Sequence, residues 1–199
     1  MTRRRRGAGV QRPLAVLALA FTLCAGCDDG GPPLAIEPHV DLERFMGSWY
    51  VIANIPTRLE RDAHNAIEEY RLQADGTIAT TFSFNAGAPD GPRKSYHPRG
   101  FVLDRQSNAV WGMRFIWPMK ADYRIMYVDA GYTQTVIGRV ARDYVWIMAR
   151  TPQIHEADYQ RLRELIAAQG YDVSALQRVP QQLVAAPGAA PGAAPGSTP

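Results

Sequence analysis

Residues 41–57 of this chain read DLERFMGSWYVIANIPT. Asp41 is a favourable helix N-cap, because its carboxylate can accept hydrogen bonds from the free backbone N–H groups of the turn that follows. That turn carries three apolar side chains, at Leu42, Phe45 and Met46. Gly47 ends the turn, and from Ser48 onward alternate side chains fall on opposite faces of a strand. The stretch therefore predicts a short apolar helical turn that leads directly into the first strand of a sheet.

A series of short apolar or alternating segments follows, each separated from the next by turn residues. Asp75-Gly76 marks a tight hairpin, and Pro98 marks a bulge or an edge within a strand. We expect further strands at residues 66–72, 78–84, 96–103, 110–117, 123–128, 132–140 and 144–150. Because these strands are short and have no helices between them, they predict an antiparallel sandwich or barrel.

The period of the apolar residues changes after the eighth strand. Between residues 154 and 169 the apolar side chains fall on one helical stripe, formed by Tyr159, Leu162, Leu165 and Ile166. Gly170 suits the left-handed conformation that commonly follows the last turn of a helix. A short ninth strand is expected at residues 173–179. The order is therefore eight strands, one helix and a last strand.

The pattern DLxRxxGxWYxIAxxP at residues 41–56 resembles the lipocalins, and among them the bacterial branch of outer-membrane lipoproteins. Lipocalins also carry an Asp and a Tyr around the turn between the sixth and seventh strands, which match Asp129 and Tyr132. An Arg at the end of their eighth strand matches Arg150. The resemblance covers residues 40–182, which we interpret as one barrel domain.

The resemblance implies an all-β fold: an eight-stranded antiparallel up-and-down β-barrel, with one C-terminal helix packed outside and a short ninth strand. Its structural motif would close one end of the barrel and comprises Gly47, Trp49, Asp129, Tyr132 and Arg150. A guanidinium across an indole gains about 0.5–2 kcal/mol, so that Arg150 is expected against Trp49. The loop 58–65 lacks the cysteine that lipocalins often have near the second strand, so we expect it to be loosely held.

The first 26 residues have the composition of a secretory signal. A basic start precedes the apolar run 14–23, which is too short to cross a bilayer as a permanent helix. The run ends at Ala25-Gly26-Cys27, which resembles a bacterial lipoprotein signal with Cys27 as the diacylated N-terminus. An ordinary cleaved signal is the alternative, because Cys24 stands where this signal usually has an aliphatic residue. The resemblance implies the outer membrane, facing the periplasm, whereas Asp28 resembles a signal for inner-membrane retention.

Two segments outside the domain have the composition of linkers. Residues 27–39 are polar and rich in turn residues and read as a tether, and residues 183–199 repeat Pro-Gly-Ala-Ala and are expected to be disordered. Of the 22 Lys and Arg residues, five lie in the first 26 residues, which leaves 17 against 19 acidic residues. The rest of the chain is therefore slightly acidic, and no nucleic-acid partner is expected.

An eight-stranded barrel either fills itself with side chains or holds one small ligand. If Arg150 faces inward, strand alternation also turns inward a set of aromatic, Met and small residues that suits an alkyl chain. The predicted cavity residues are Val51, Ala53, Trp111, Met113, Phe115, Tyr144, Trp146 and Met148. Candidates for contact with a carboxylate or phosphate head group at one rim are Arg114, Lys120 and Arg124.

The resemblance implies a lipid-anchored carrier of a fatty acid or lysophospholipid in envelope maintenance, with no cofactor. A structural envelope lipoprotein with a filled barrel is the alternative, and a homodimer stays open. A lipocalin-type enzyme or haem binder is a third class. The four histidines of the folded region, His39, His64, His97 and His155, lie at no metal-ligand spacing, and no G-x-S-x-G elbow is present. An apolar cavity, and an ionisable pair pointing into it, would discriminate between these classes.

Overall fold

A computed structural model describes residues 32–116 and 118–182 of the chain. The predicted signal peptide, the lipidation site Cys27, the first part of the tether and the tail from residue 183 lie outside the described residues, so those assignments stay predictions. Trp117, at the end of the predicted fifth strand, also lies outside them.

The described residues form ten strands, two α-helices and one 3₁₀ turn. In chain order they are α1 (Leu42–Phe45), β1 (Gly47–Ile55), β2 (Ala63–Leu72), β3 (Thr77–Ala86), β4 (Arg93–Tyr96), β5 (Arg99–Val102), β6 (Val110–Ile116), β7 (Met119–Val128), β8 (Gln134–Gly138), β9 (Val145–Ala149), α2 (Glu156–Ala168), the 3₁₀ turn (Val173–Ala175) and β10 (Gln177–Arg178). Helix α1 begins after Asp41, whose carboxylate accepts a hydrogen bond from the Arg44 N–H at 3.1 Å. The predicted N-cap thus starts the helical turn.

Eight of the strands close into an antiparallel barrel. Their order is β1-β2-β3-β5-β6-β7-β8-β9, and β9 pairs back with β1 from Tyr50 opposite Ala149 to Ile55 opposite Val145. The additional strand β4 pairs with β3, and β10 pairs with the second half of β1. This is the predicted eight-stranded barrel with a C-terminal helix.

Two of the predicted strands differ from the observed ones. The predicted strand 96–103 is split into β4 and β5, because Pro98 lies between them and has no N–H to donate to a ladder. The predicted ninth strand is a 3₁₀ turn followed by the two-residue strand β10. Asp172 starts that turn by accepting a hydrogen bond from the Ser174 N–H at 2.9 Å, which favours a turn over a longer strand.

The apolar residues form an inner layer within the barrel and an outer layer beneath α2. Strand β9 contributes to both, because Met148 packs in the inner layer and Ile147 in the outer one. From α2 the residues Tyr159, Leu162 and Ile166 cover the outer layer. The helix is therefore held by its apolar stripe against the outside of the barrel wall.

Strand β1 contains a bulge that changes which side chains face inward. Its pairing with β9 shifts between Val51 and Ala53. Val51 belongs to the inner layer, whereas Ile52 and Ala53 both belong to the outer layer. The prediction that Ala53 faces the cavity is therefore corrected: the extra residue interrupts the alternation from which it was made.

Aromatic side chains fill the end of the barrel next to α1. The ring centroids of Phe45 and Trp49 are 5.1 Å apart, and those of Trp111 and Tyr123 are 5.2 Å apart in a stacked arrangement. Tyr70 contacts Phe45, Trp111 and Tyr123 with centroid distances of 5.7, 5.7 and 6.3 Å. Open space is consequently confined to the other end of the barrel.

The five residues of the structural motif surround this filled end. The guanidinium of Arg150 lies over the Trp49 ring. Gly47 has a φ of +94°, and a Cβ at this position would lie 3.3 Å from an Arg150 nitrogen. The hydroxyl of Tyr132 accepts a hydrogen bond from the Asp41 N–H at 2.8 Å. Partial burial would raise the pKa of Asp129, but hydrogen bonds from Gln134, Thr133 and Gly131 outweigh it and lower that pKa.

Candidate functional site

A cavity of about 200 Å³ lies in the barrel between the aromatic end and the open end. Its wall is mostly apolar and combines residues from seven strands with the segments between β1 and β2 and between β8 and β9. The lining residues are Thr57, Leu59, Glu60, Glu68, Phe82, Tyr96, Met113, Phe115, Ala121, Asp122, Tyr123, Ile137, Arg139, Tyr144, Trp146 and Met148. We call this space the inner cavity.

Five of the eight predicted cavity residues line the inner cavity, namely Met113, Phe115, Tyr144, Trp146 and Met148. Phe115 lies at the rim, where 57% of it is exposed. Val51 and Trp111 point into the barrel but are fully buried in the packed inner layer, outside the cavity wall. Ala53 lies on the outer side of β1, as described above.

A second space of about 430 Å³, which we call the outer pocket, adjoins the inner cavity because Leu59 and Tyr96 line both. Three cationic side chains border it, at Arg58, Arg61 and Lys94, together with one acid, Asp62. These residues come from the segment between β1 and β2 and from β4. The outer pocket is therefore the positively charged part of the open end.

The three predicted head-group residues lie elsewhere. Arg114 and Lys120 lie over the Phe101 ring, at 4.7 and 4.1 Å from its centroid, on the outside of the barrel. Alternation explains this position, because Met113 and Phe115 turn inward and Arg114 between them must turn outward. Arg124 lines neither the inner cavity nor the outer pocket, and it pairs with Asp122 at 3.0 Å. The prediction of these three residues at the cavity rim is therefore corrected.

The cation that does line the inner cavity is Arg139. Its Nη1 donates to the Asp143 carboxylate at 3.1 Å, and its guanidinium lies 5.2 Å from the Tyr144 ring centroid. Its Nε is buried and has no hydrogen-bond partner among the described residues. An unsatisfied buried donor is costly, so a ligand atom or a water that accepted from this nitrogen would be favoured.

Glu60 holds the segment between β1 and β2 to the barrel. Its carboxylate accepts hydrogen bonds from Asn54 Nδ2 at 3.0 Å, Thr57 Oγ1 at 2.7 Å and Trp146 Nε1 at 2.8 Å. Glu60 itself is only 6% exposed. The loop expected to be loosely held is therefore fixed by one buried carboxylate. Glu60 is not among the residues predicted from the sequence, because those predictions concerned apolar cavity residues.

A second carboxyl group in the cavity wall, Glu68, was also missed. The Tyr70 hydroxyl donates to Glu68 Oε2, and the Tyr70 and Tyr123 hydroxyl oxygens are 2.7 Å apart. Burial is the main cause that raises the pKa of Glu68 from 4.5 to about 7; the bond from Tyr70 lowers it and the charge of Glu60 raises it. Alternation along β2 could have found this group, because Glu68 shares a face with the buried Tyr70.

The sequence matches a family model described as "Lipocalin-like domain" over residues 40–181. The chain belongs to the lipocalin family. This lipocalin is 33% identical to temperature-induced lipocalin-1 of Arabidopsis thaliana over 157 residues, which cover 74% of the chain and 83% of the relative. It is 28% identical to the outer membrane lipoprotein Blc of Escherichia coli K12 over 166 residues, covering 81% of the chain and 92% of the relative.

Solved structures show the same fold at low sequence identity. The crystal structure of the cockroach allergen Per a 4 matches this lipocalin with a TM-score of 0.59 and 18% identity, over 78% of the chain and 97% of the allergen. At that level of identity the similarity concerns the fold alone.

Residues 32–116 and 118–182 contain no group of three or more His, Cys, Asp and Glu side chains placed to hold a metal ion. Among the same residues, no helix combines the length and the apolar character that a membrane span requires.

Proposed function

We propose that this lipocalin binds a single-chain amphiphile, a fatty acid or a lysophospholipid, with the acyl chain in the inner cavity. The observation that carries the proposal is the arrangement of the open end, where a mostly apolar cavity adjoins a pocket bordered by Arg58, Arg61 and Lys94. An acyl chain suits the first space and a carboxylate or phosphate suits the second. Both relatives named above are members of a family that binds small hydrophobic ligands.

The volume of the inner cavity favours one chain over two. It is about 200 Å³, below the 300–1,000 Å³ of most small-molecule sites, so that a lipid must extend into the outer pocket. A chain of ~16 carbons offers roughly 12 kcal/mol of gross burial, at about 0.8 kcal/mol for each CH₂. Association and ordering cost on the order of 4–15 kcal/mol. We therefore expect micromolar affinity, and tighter binding only with a head-group contact.

Attachment to a membrane is the second part of the proposal. Ala25-Gly26-Cys27 at the end of the apolar run supports lipidation of Cys27, and the relative of Escherichia coli carries the name outer membrane lipoprotein. A single acyl chain gives only marginal membrane binding, so stable anchoring needs two signals or more. We propose an anchored carrier at the outer membrane, facing the periplasm, that takes part in envelope maintenance.

A matched pair of variants tests the cavity. Ala121 lines the inner cavity from β7, whereas Ala79 lies on β3 between two buried positions and faces outward. Ala121→Phe should fill the cavity and abolish binding, while Ala79→Phe should bind like the parent. Delipidated protein is titrated with lysophosphatidylcholine below its micelle threshold, and the emission of Trp146 in the cavity wall is followed.

The same titration decides between a carrier and a structural lipoprotein. A saturable change in the parent that Ala121→Phe removes and Ala79→Phe retains supports the carrier. No saturable change in the parent favours the structural lipoprotein with a filled barrel. The aromatic packing of Phe45, Trp49 and Trp111 is the observation that supports this alternative. Thermal unfolding of each variant shows whether the barrel is intact.

The enzyme alternative has one observation in its favour, since Glu60 and Glu68 form an ionisable pair in the cavity wall. The lining residues, however, include no Ser, Cys or His that could serve as a nucleophile with these carboxylates. Both oxygens of Glu60 also accept hydrogen bonds from neutral donors, so that this carboxylate holds the segment between β1 and β2 to the barrel. We therefore propose binding rather than catalysis.

A further inference from the structure

Glu68 lies in the wall of the inner cavity, next to the aromatic residues that fill the barrel below it. It comes from β2, and its cross-strand neighbours are Trp49 on β1 and Phe82 on β3, neither of which titrates. Among the described residues its side chain has one hydrogen bond, from Tyr70 to Oε2. The second oxygen, Oε1, is therefore left to whatever occupies the cavity.

The titratable and charged groups around Glu68 come from four elements. Tyr70 on β2 donates to it, and Tyr123 on β7 contacts Tyr70. Glu60, in the segment before β2, faces it, and Tyr96 on β4 and Asp122 on β7 line the same cavity. The two cations of the barrel interior have other partners: Arg139 is paired with Asp143, and Arg150 lies over the indole of Trp49. No cation is hydrogen-bonded to Glu68 within the described residues.

An alkyl chain that enters the cavity displaces the water that a carboxylate at this position needs. A charge that loses its water without gaining a partner is costly, and such a group takes up a proton instead. Protonated Glu68 would place a neutral donor and acceptor against the chain. The Tyr70 hydroxyl can turn to fit either form, since a hydroxyl both donates and accepts.

We propose that Glu68 couples ligand binding to a proton: filling the inner cavity with an alkyl chain neutralises this carboxyl group, so that binding takes up a proton and weakens in alkaline solution. This inference rests on the proposed function and adds to it the chemistry of the buried end of the ligand, which must be uncharged. An anionic end would lie beside Glu60 and Glu68, so it belongs at the outer pocket. The pKa of about 7 in the empty protein means that the carboxyl group can exchange this proton near neutral pH.

The test is the pH dependence of affinity for lysophosphatidylcholine, whose own charge is constant across the range used. If the pKa of Glu68 is about 7 in the empty protein and the group stays neutral in the complex, the Kd should rise about tenfold between pH 6 and pH 8. Glu68→Gln imitates the neutral form and should bind equally well at both values. Glu60→Gln should keep the dependence but shift it to lower pH, because it removes a neighbouring charge that raises the pKa of Glu68.

Glu69→Gln is the matched control. Glu69 is the next residue on β2, faces outward and lies 3.5 Å from Arg71, so that its variant should keep the dependence of the parent. Calorimetry of the parent in two buffers of different ionisation enthalpy gives a second readout, since the inference requires proton uptake on binding at pH 7.5.

The outcomes separate the two proposals. Saturable binding by the parent with the same Kd at pH 6 and pH 8, or without proton uptake, overturns the role of Glu68 and leaves the carrier function standing. A dependence that persists in Glu68→Gln also overturns it. Absence of binding at every pH overturns the proposed function and this inference together. Loss of the dependence in Glu68→Gln but not in Glu69→Gln supports the inference.

Discussion

The guanidinium carbon of Arg150 lies 3.7 Å from the centroid of the Trp49 indole. The same guanidinium donates to backbone carbonyls of Arg44, Met46 and Ser48, each at 2.8 Å. One side chain after β9 therefore fixes α1, the turn that follows it and the start of β1. Because Trp49 Nε1 also donates to the Phe45 carbonyl at 2.9 Å, the indole is held on its face and on its edge.

This arrangement predicts how the two residues contribute to stability. Trp49→Ala removes a fully buried ring and should lower the free energy of unfolding by about 3–5 kcal/mol. Arg150→Ala leaves several carbonyls without their donor and should cost less, about 1–3 kcal/mol. Arg150→Lys is the control, because it keeps the charge but cannot present several donors in one plane. Urea unfolding measures each variant, and parent-like midpoints for both alanine variants would contradict the packing described here.

The sequence was sufficient for the fold and for this motif, since both depend on local patterns. Asp41 as an N-cap, Gly47 after a helical turn and a Trp two residues later can be read in order along one stretch. The division of β9 into inward and outward faces also follows from simple alternation. Such features need no knowledge of distant parts of the chain.

The cavity was less accessible from the sequence, because its wall depends on irregular backbone. A bulge in β1 turns Ala53 outward, and no residue type in that stretch marks a bulge. The cations of the outer pocket come from a loop and from a short added strand, whereas the charged residues chosen from the sequence lie on regular strands. Glu68 was not predicted, because an inward-facing position in a barrel is expected to carry an apolar side chain.

The outer pocket predicts a dependence on head-group charge. Lys94→Glu places an acid beside the pocket and should raise the Kd for an anionic lysophospholipid several-fold, since an exposed charge pair is worth about 0.2–1 kcal/mol. The effect of the same variant on the Kd for an uncharged monoacylglycerol should be small. Salt at 0.5 M should weaken the effect on the anionic lipid, because exposed charges are screened.

Lys120→Glu is the matched control for that variant. Lys120 is an exposed lysine on the outside of the barrel, 4.1 Å from the Phe101 ring centroid. Its replacement by Glu should therefore leave both affinities unchanged. Equal effects of Lys94→Glu and Lys120→Glu on the anionic lipid would mean that only the net charge of the protein matters, and would remove the outer pocket as a head-group site.

The proposed anchor at Cys27 predicts where the protein is found in cells. Cys27→Ser should move the protein from the membrane fraction to the soluble periplasmic fraction, because it removes the side chain that would carry the acyl chains. Cys24→Ser is the control, since it changes the neighbouring cysteine and should leave the protein at the membrane. Mass spectrometry of the mature N-terminus gives the number of chains, and an unmodified N-terminal mass would contradict lipidation.

The carboxyl group of Glu68 predicts a particular dependence of stability on pH. Its pKa is raised from 4.5 to about 7 in the folded protein, so that between these values the folded protein holds a proton which the unfolded chain has released. The free energy of unfolding must therefore fall as the pH rises through this interval. At about 1.4 kcal/mol for each unit of pKa, the difference between 4.5 and about 7 corresponds to about 3 kcal/mol.

Glu68→Gln should abolish that loss, since an amide has no proton to release. Urea unfolding of ligand-free protein at pH 5 and pH 8 measures the change, and the parent should lose about 2–3 kcal/mol more than the variant between the two values, because pH 5 already lies above 4.5. Glu69→Gln should follow the parent, because its carboxylate is exposed to water beside Arg71. If the parent and Glu68→Gln lose the same free energy between pH 5 and pH 8, the carboxyl group is ionised throughout in the folded barrel, and burial does not hold its proton.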